Sequence, residues 1–255
     1  MTWFEHRASI IKPHVRIAHV TDSHLFASRD GEYFNVNTSE HFARVLRRLA
    51  DENVDLVIFG GDLSQDHSKE SYQLFAKLVD ESCLSCPVFW VPGNHDDIEQ
   101  LYAISGDQIK PTKCIELEEY QLLLVNSKGP TPAGWVEANH LAQLQEAIVA
   151  FHGSALLFCH HHPIPIQGYL DKHILENGTQ LLNICVDSEK VSALVHGHVH
   201  NDYFLSYRGL PIYATPATSI QFSRHSATWQ QQNFGPAYRL IDVRGQSMAT
   251  WVKWA

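Results

Sequence analysis

The chain has 255 residues, 44% hydrophobic and 18% charged, the proportions of a globular protein with a substantial core. Its formal net charge of −9, from 19 Lys and Arg against 28 Asp and Glu, comes with no basic stripe and argues against a nucleic-acid partner, whose binding is driven by clustered Lys and Arg. With no run of 18 apolar residues and no hydrophobic leader core, the sequence predicts no membrane partner and a cytoplasmic location.

The 17 His nearly match Lys and Arg together, and imidazole is the commonest nitrogen ligand for transition metals. Five cysteines, Cys83, Cys86, Cys114, Cys159 and Cys185, are an odd number, better read as reduced thiols than as a disulfide framework. The lone Cys83-x-x-Cys86 is read as a turn before the next strand. The interleaved motifs leave no place to divide the chain, so residues 1–255 are expected to form one domain, with 1–14 as a candidate flexible segment. Nothing in the sequence sets an oligomeric state.

In chain order, residues 15–21 alternate apolar and polar and read as a strand that delivers Asp22 and His24 into the following loop. Asn37-Thr38-Ser39-Glu40 resembles a capping box opening an amphipathic helix through Phe42, Val45, Leu46 and Leu49. Residues 56–59 are wholly apolar, as in a central strand, and Gly60-Gly61 turns the backbone before Asp62. Asp66 is read as a helix N-cap before a helix carrying Tyr72, Phe75, Ala76 and Val79. Residues 88–91 form the next strand, ending in Gly93-Asn94-His95-Asp96. A mixed stretch to Lys113 precedes a hairpin of residues 115–117 and 122–125. Leu141, Leu144, Ile148 and Phe151 fall at helical spacing, and residues 155–159 form a buried strand before His160-His161-His162. Residues 164–178 are a Pro/Gly-punctuated loop suited to one wall of a pocket. A short helix around Leu181, Leu182 and Cys185 leads to strand 191–195 and His196-Gly197-His198-Val199-His200. Residues 203–207 and 211–214 read as a hairpin, and 238–243 and 248–254 as further antiparallel strands.

Five polar clusters thus follow apolar runs, where open α/β sheets place their chemistry, and they can converge on one sheet edge. The candidates are Asp22, His24, Asp62, Asn94, His160, His198 and His200, with His95 beside them. Two carboxylates, one amide oxygen and four imidazoles exceed what one tetrahedral ion takes, and suit two ions about 3.5–4 Å apart sharing a carboxylate. Nitrogen and oxygen donors without thiolate favour divalent transition metals such as Fe, Mn or Zn over calcium.

This order of Asp22-x-His24, Gly61-Asp62, Gly93-Asn94-His95-Asp96, a strand-end His and Gly197-His198-x-His200 resembles the calcineurin-like metallophosphoesterase superfamily. Within it the chain resembles the class III cyclic-AMP phosphodiesterases of bacteria, through Thr21 to Phe26, Gly61 to Asp66, His160-His161-His162-Pro163, Ala214-Thr215-Pro216-Ala217-Thr218 and Gln221-Phe222. The resemblance spans about residues 15 to 243. It implies an α/β (α+β by some schemes) fold of two stacked mixed β-sheets flanked by helices. It implies that Asp22, His24, Asp62 and His200 hold one metal and Asp62, Asn94, His160 and His198 the other. His160 is preferred to His161 as the first residue after the strand. The implied activity is hydrolysis of 3′,5′-cyclic AMP, a small-molecule partner, to 5′-AMP by a metal-bound hydroxide. His95 would protonate the leaving oxygen, and His24, Asp62, Asn94, His95, His160 and His200 would line the substrate site. The alternatives are another phosphodiester (a 2′,3′-cyclic nucleotide, a glycerophosphodiester or a nucleotide pyrophosphate) or a non-catalytic scaffold of the same fold.

Overall fold

The computed structural model describes residues 2–255. Its central strands are short runs of β-branched, aromatic and leucine side chains buried on both faces, the pattern of strands covered from either side. His14–Val20, Leu56–Phe59, Val88–Trp90 and Ile109–Lys110 run parallel in one six-stranded sheet, extended antiparallel by Ala237–Arg244 and Ser247–Trp254. Tyr120–Leu124, Ser154–Cys159, Val191–His196 and Leu210–Ala214 are the parallel centre of a seven-stranded sheet. Cys114–Glu116 and Phe204–Tyr207 add to it antiparallel, and Arg7–Ser9 lies at one edge.

Side-chain alternation along each strand sets the layers. Ile17, Ile58 and Phe89 point between the sheets and meet Leu122, Leu156, Phe158 and Val195. Their neighbours Ala18, Val57, Phe59 and Trp90 face the helices Thr38–Asp51 and Lys69–Glu81. On the far side, Leu123, Leu157 and Leu194 pack against the helices Ala138–Ala150 and Gly178–Asp187. The expected two stacked mixed sheets flanked by helices are therefore present.

Several local expectations are corrected. The strand-end clusters lie along the ends of both sheets and not on one edge. The helix predicted to reach Phe151 stops at Ala150, because Phe151 is extended. The mixed stretch after Asp97 contains the helix Ile98–Ala103 and the strand Ile109–Lys110. Asn37 caps its helix by accepting from Glu40 N at 2.9 Å, and the return bond of a full capping box is not made among the described residues. Asp66 is not an N-cap: Ser68 is, while the Asp66 carboxylate accepts from Ala27 N at 2.8 Å and Ser68 Oγ at 2.6 Å, tying two loops together. Residues 2–14 are tied to the body through Arg7–Ser9 and through the Trp3 indole, which donates to Leu124 O at 2.6 Å. The five cysteines are free thiols, Cys83 alone exposed, in the turn after Glu81.

Phe89 is 1% exposed and sits in the layer joining the sheets. Phe89→Ala should cost about 3–5 kcal/mol, the usual result of emptying a buried aromatic site, read as a lowered urea midpoint with unchanged slope.

Candidate metal centre

Five loops at the C-terminal ends of five strands deliver the side chains. Asp22 and His24 follow His14–Val20, Asp62 follows Leu56–Phe59, Asn94 and His95 follow Val88–Trp90, His160 follows Ser154–Cys159, and His198 and His200 follow Val191–His196. Asp22, His24, Asp62, His198 and His200 all have positive φ, between 45° and 68°. Such left-handed turns are uncommon for side chains other than glycine and persist only where the surroundings over-determine them.

That determination can be followed bond by bond. Asp96 is buried and joins two loops, accepting from Asp62 N and Gly93 N on Oδ2 and from Leu63 N on Oδ1, each at 2.8 Å. Gly93 admits this approach, since a Cβ there would lie 2.1 Å from Asp62 Oδ1. The Asp22 turn is clasped by the segment around Thr218: Thr218 N donates to Thr21 O at 3.0 Å and Ser219 Oγ to Asp22 O at 2.7 Å. His198 N donates to both Asp22 oxygens, at 3.2 and 3.0 Å. Lys128 Nζ donates to Asn94 O at 2.8 Å.

The imidazoles are oriented so that their other nitrogens meet. Nδ1 of His24 lies 2.8 Å from Gln65 Oε1, that of His200 2.8 Å from Ile220 O, and that of His160 2.8 Å from Gly60 O. Each acceptor fixes the proton on Nδ1, leaving Nε2 a lone pair. Yet His24 Nε2 and His200 Nε2 are 3.1 Å apart, and His160 Nε2 is 3.3 Å from Asp62 Oδ2 and 3.2 Å from His198 Nδ1. The two Nε2 lone pairs of His24 and His200 repel in a buried site unless a positive charge lies between them, and at His160 the charge facing Asp62 is a proton or a cation. Asn94 Oδ1 and His198 Nε2 are buried without a hydrogen-bond partner. Asp22, His24 and His200 form one close donor group and Asp22, Asp62 and His160 another, while Asp62 also joins His24 and His95. The residues fit two divalent ions: Asp22 belongs to both groups, and Asp62 Oδ2 lies between His24 Nε2 of one, at 3.7 Å, and His160 Nε2 of the other, at 3.3 Å.

Charges behave accordingly. Burial opposes ionisation of Asp62, but His160 above all, with His95 and His24, holds its pKa well below the usual carboxylate range. For His160, burial disfavours the imidazolium, and the Asp62 and Asp22 carboxylates outweigh it, raising the pKa to about 9. Burial and then His200 lower His24 to about 3. Burial, then His161 and His160, keep His198 well below the ordinary histidine value.

All seven expected donors are brought together, and His95 lies on the wall of the same pocket. Of the histidine triplet, His160 faces Asp62. His161 also lies near His160 and His198, but its nitrogens are engaged by Ser127 Oγ at 2.9 Å and Pro132 O at 3.3 Å, and His162 turns to Asp171 at 3.3 Å. The loop 164–178 does supply a wall, through Tyr169, Leu170 and His173. Sequence reading missed Gln65, Asp96 and Lys128, which orient others, and Tyr33 and Trp229, which line the pocket. Asp96 stood in view beside His95, and an aromatic in a polar loop is the signal that marks Tyr33 and Trp229.

The family model for calcineurin-like phosphoesterases matches residues 15–202. The chain belongs to the calcineurin-like phosphoesterase family. A protein from Pseudoalteromonas sp. (strain SM9913) named "Probable cyclic nucleotide phosphodiesterase" is 53% identical to this phosphoesterase over 253 residues, covering 99% of this chain and 97% of its own. The 3′,5′-cyclic adenosine monophosphate phosphodiesterase of Escherichia coli (strain K12) is 32% identical over 243 residues, covering 92% and 88%. A dimetal phosphatase from Danio rerio superposes with a TM-score of 0.63 over 92% of this chain and 98% of its own; at 14% identity the likeness is one of fold. Among the described residues no helix is long and apolar enough to cross a membrane.

At pH 7 a His160 that titrates near 9 carries a proton in chelator-treated protein, and that proton must leave before Nε2 binds a cation. Mn²⁺ binding at pH 7 should therefore release about one proton per chain from this residue, falling toward zero above pH 9, measured by calorimetry in buffers of different ionisation enthalpy. In chelated protein the raised pKa stabilises the fold fully below about pH 6.5, the unperturbed histidine value, and that contribution is lost as pH rises through 9. Asp96→Asn sets an amide donor against backbone N–H groups and should lower stability by about 1–3 kcal/mol, seen in denaturant titration.

Proposed function

We propose that this phosphoesterase hydrolyses 3′,5′-cyclic AMP to 5′-AMP. Support for the reading comes chiefly from Asp62, whose Oδ2 lies 3.3 Å from His160 Nε2 and 3.7 Å from His24 Nε2, between the two donor groups. Asp22, His24, Asp62 and His200 would hold one ion, and Asp62, Asn94, His160 and His198 the other. Paired ions of this kind polarise a phosphoryl oxygen and lower the pKa of water from about 15.7 toward about 7. His24, Asp62, Asn94, His95, His160 and His200 border the substrate in this reading, and the names of the two sequence relatives direct the choice toward a cyclic nucleotide.

His95 is the acid that assists the departing 3′-oxygen. Its ring makes no hydrogen bond among the described residues, and Nδ1 is buried without a partner. Stacking on His67, with centroids 5.3 Å apart and planes 7° apart, and an edge contact with His24 at 5.0 Å hold the ring. Neither nitrogen is thereby committed to a protein partner among the described residues. Burial first, and His67 and His160 with it, lower the His95 pKa against the pull of Asp62. A phosphodiester anion beside the ring favours the imidazolium, so arriving substrate charges the acid that its leaving group needs.

The decisive assay supplies Mn²⁺, Fe²⁺ or Zn²⁺ and follows 5′-AMP release from 3′,5′-cyclic AMP beside 2′,3′-cyclic AMP and glycerophosphodiesters. The highest kcat/KM should fall on the 3′,5′-cyclic nucleotide; no 5′-AMP with any metal refutes the assignment. Asp62→Ala should lose bound metal. His95→Ala should keep it and lose about 10²–10⁴ in rate on alkyl leaving groups, with a much smaller loss on p-nitrophenyl esters. Equal losses on the two substrates would remove His95 from the acid role.

A further inference from the structure

Above the donors, six aromatic rings close on themselves. His24 stacks on Tyr33, Tyr33 touches Phe34, Phe34 touches Trp229, Trp229 touches Phe222, Phe222 stacks on His200, and His200 returns to His24. The centroid separations run from 4.1 to 5.6 Å. Two members of this collar are not core residues: Phe34 is 43% exposed and Trp229 37%. Each rides on a loop or hairpin fixed from below. Phe34 and Asn35 turn the hairpin of Glu32–Tyr33 and Val36–Asn37 with φ of 49° and 60°, and a bulky ring at positive φ is a strained placement that solvent alone does not repay. Trp229 lies in the loop closed by Gln221–Phe222 and Gln231–Gln232. There the buried Gln221 amide donates to Ala217 O at 3.2 Å and Gly235 O at 3.1 Å, and its carbonyl accepts from Phe234 N at 2.9 Å.

The pocket beneath, bordered by His95, Asn94 and Trp229, has a volume of about 230 Å³. Cavities that enclose a drug-sized ligand run from about 300 to 1,000 Å³. A phosphate and its sugar fill such a space and leave a third planar group at the rim, beside Trp229. Tyr169 meets Trp229 at right angles with centroids 5.4 Å apart, and the indole N–H is already engaged by Gln231 Oε1 at 3.0 Å, so the part of Trp229 that stays exposed offers ring surface more than a polar edge. Stacking of a base on an aromatic side chain asks only for a π-face.

We infer that Trp229, with Phe34 beside it, is the platform on which the heteroaromatic base of a nucleotide substrate stacks, and that it separates nucleotides from simple sugar phosphates. The inference rests on the nucleotide reading above and names the residue that would recognise the base. Calorimetry of full-length, Mn²⁺-loaded protein with 5′-AMP and with ribose 5-phosphate tests it without turnover. The wild-type protein should bind 5′-AMP about tenfold or more tightly than ribose 5-phosphate, a difference of about 1.4 kcal/mol. Trp229→Ala should bring the two within about twofold while leaving ribose 5-phosphate affinity in place, and Trp229→Phe should recover most of the preference. A wild-type protein without the preference, a Trp229→Ala protein that keeps it, or one that weakens both ligands equally overturns the platform. A protein that shows the preference and its loss, yet releases no 5′-AMP from the cyclic nucleotide, refutes the proposed substrate and leaves the platform standing.

Discussion

Two buried carboxylates, Asp22 and Asp62, lie just beyond the strand ends with imidazole nitrogens 3.3 to 3.7 Å from their oxygens. Removing such groups from water is costly unless opposite charge or hydrogen bonds replace the lost hydration. Part of that replacement is built in, through the amides of His198 and His95. The rest of the donor set is turned inward, with His24 Nε2 against His200 Nε2 and with Asn94 Oδ1 and His198 Nε2 lacking hydrogen-bond partners, an arrangement that cations complete. The fold holds a repulsive constellation together in advance, so binding cations requires little reorganisation.

The holding force is backbone geometry more than side-chain attraction. Five donors sit on left-handed turns, and each turn is closed by amide bonds to a neighbouring loop. Asp96 is the clearest case: burial and the Asp62 charge raise its pKa to about 6, while three backbone amides favour its ionised form. The Ala214 to Thr218 segment has the corresponding task at Asp22, and His19 fastens it from the strand side through Thr215 Oγ1 at 2.6 Å. These residues touch no substrate in the proposed reaction, yet they decide where the donors point.

The rim obeys a different physics. Below it, charge and lone-pair direction dominate; above it, ring faces meet ring faces, and the link is made by His24 and His200, which belong to both layers. In the proposed reading, such a site would grip a phosphoryl group by electrostatics at its floor and a flat group by stacking at its mouth.

That these seven side chains gather at one place was legible without coordinates, because each follows an apolar run and the residue types are those that bind hard and borderline metals. The buried central strands were legible for the same reason: runs such as Leu56–Phe59 are apolar at every position, as in strands covered on both faces, while the stacking of two sheets came from the family resemblance. Hydrophobic periodicity is a local property, so it survives in one dimension. What only the tertiary structure decided was the partners that engage His161 and His162, namely Ser127, Pro132 and Asp171, Asp66 as a loop tie, the Asp96 bridge, and the meeting of Phe34 with Trp229 across 195 positions of chain. A hydrogen-bond partner or a stacking partner is a matter of distance between loops, and no pattern within either loop encodes that distance.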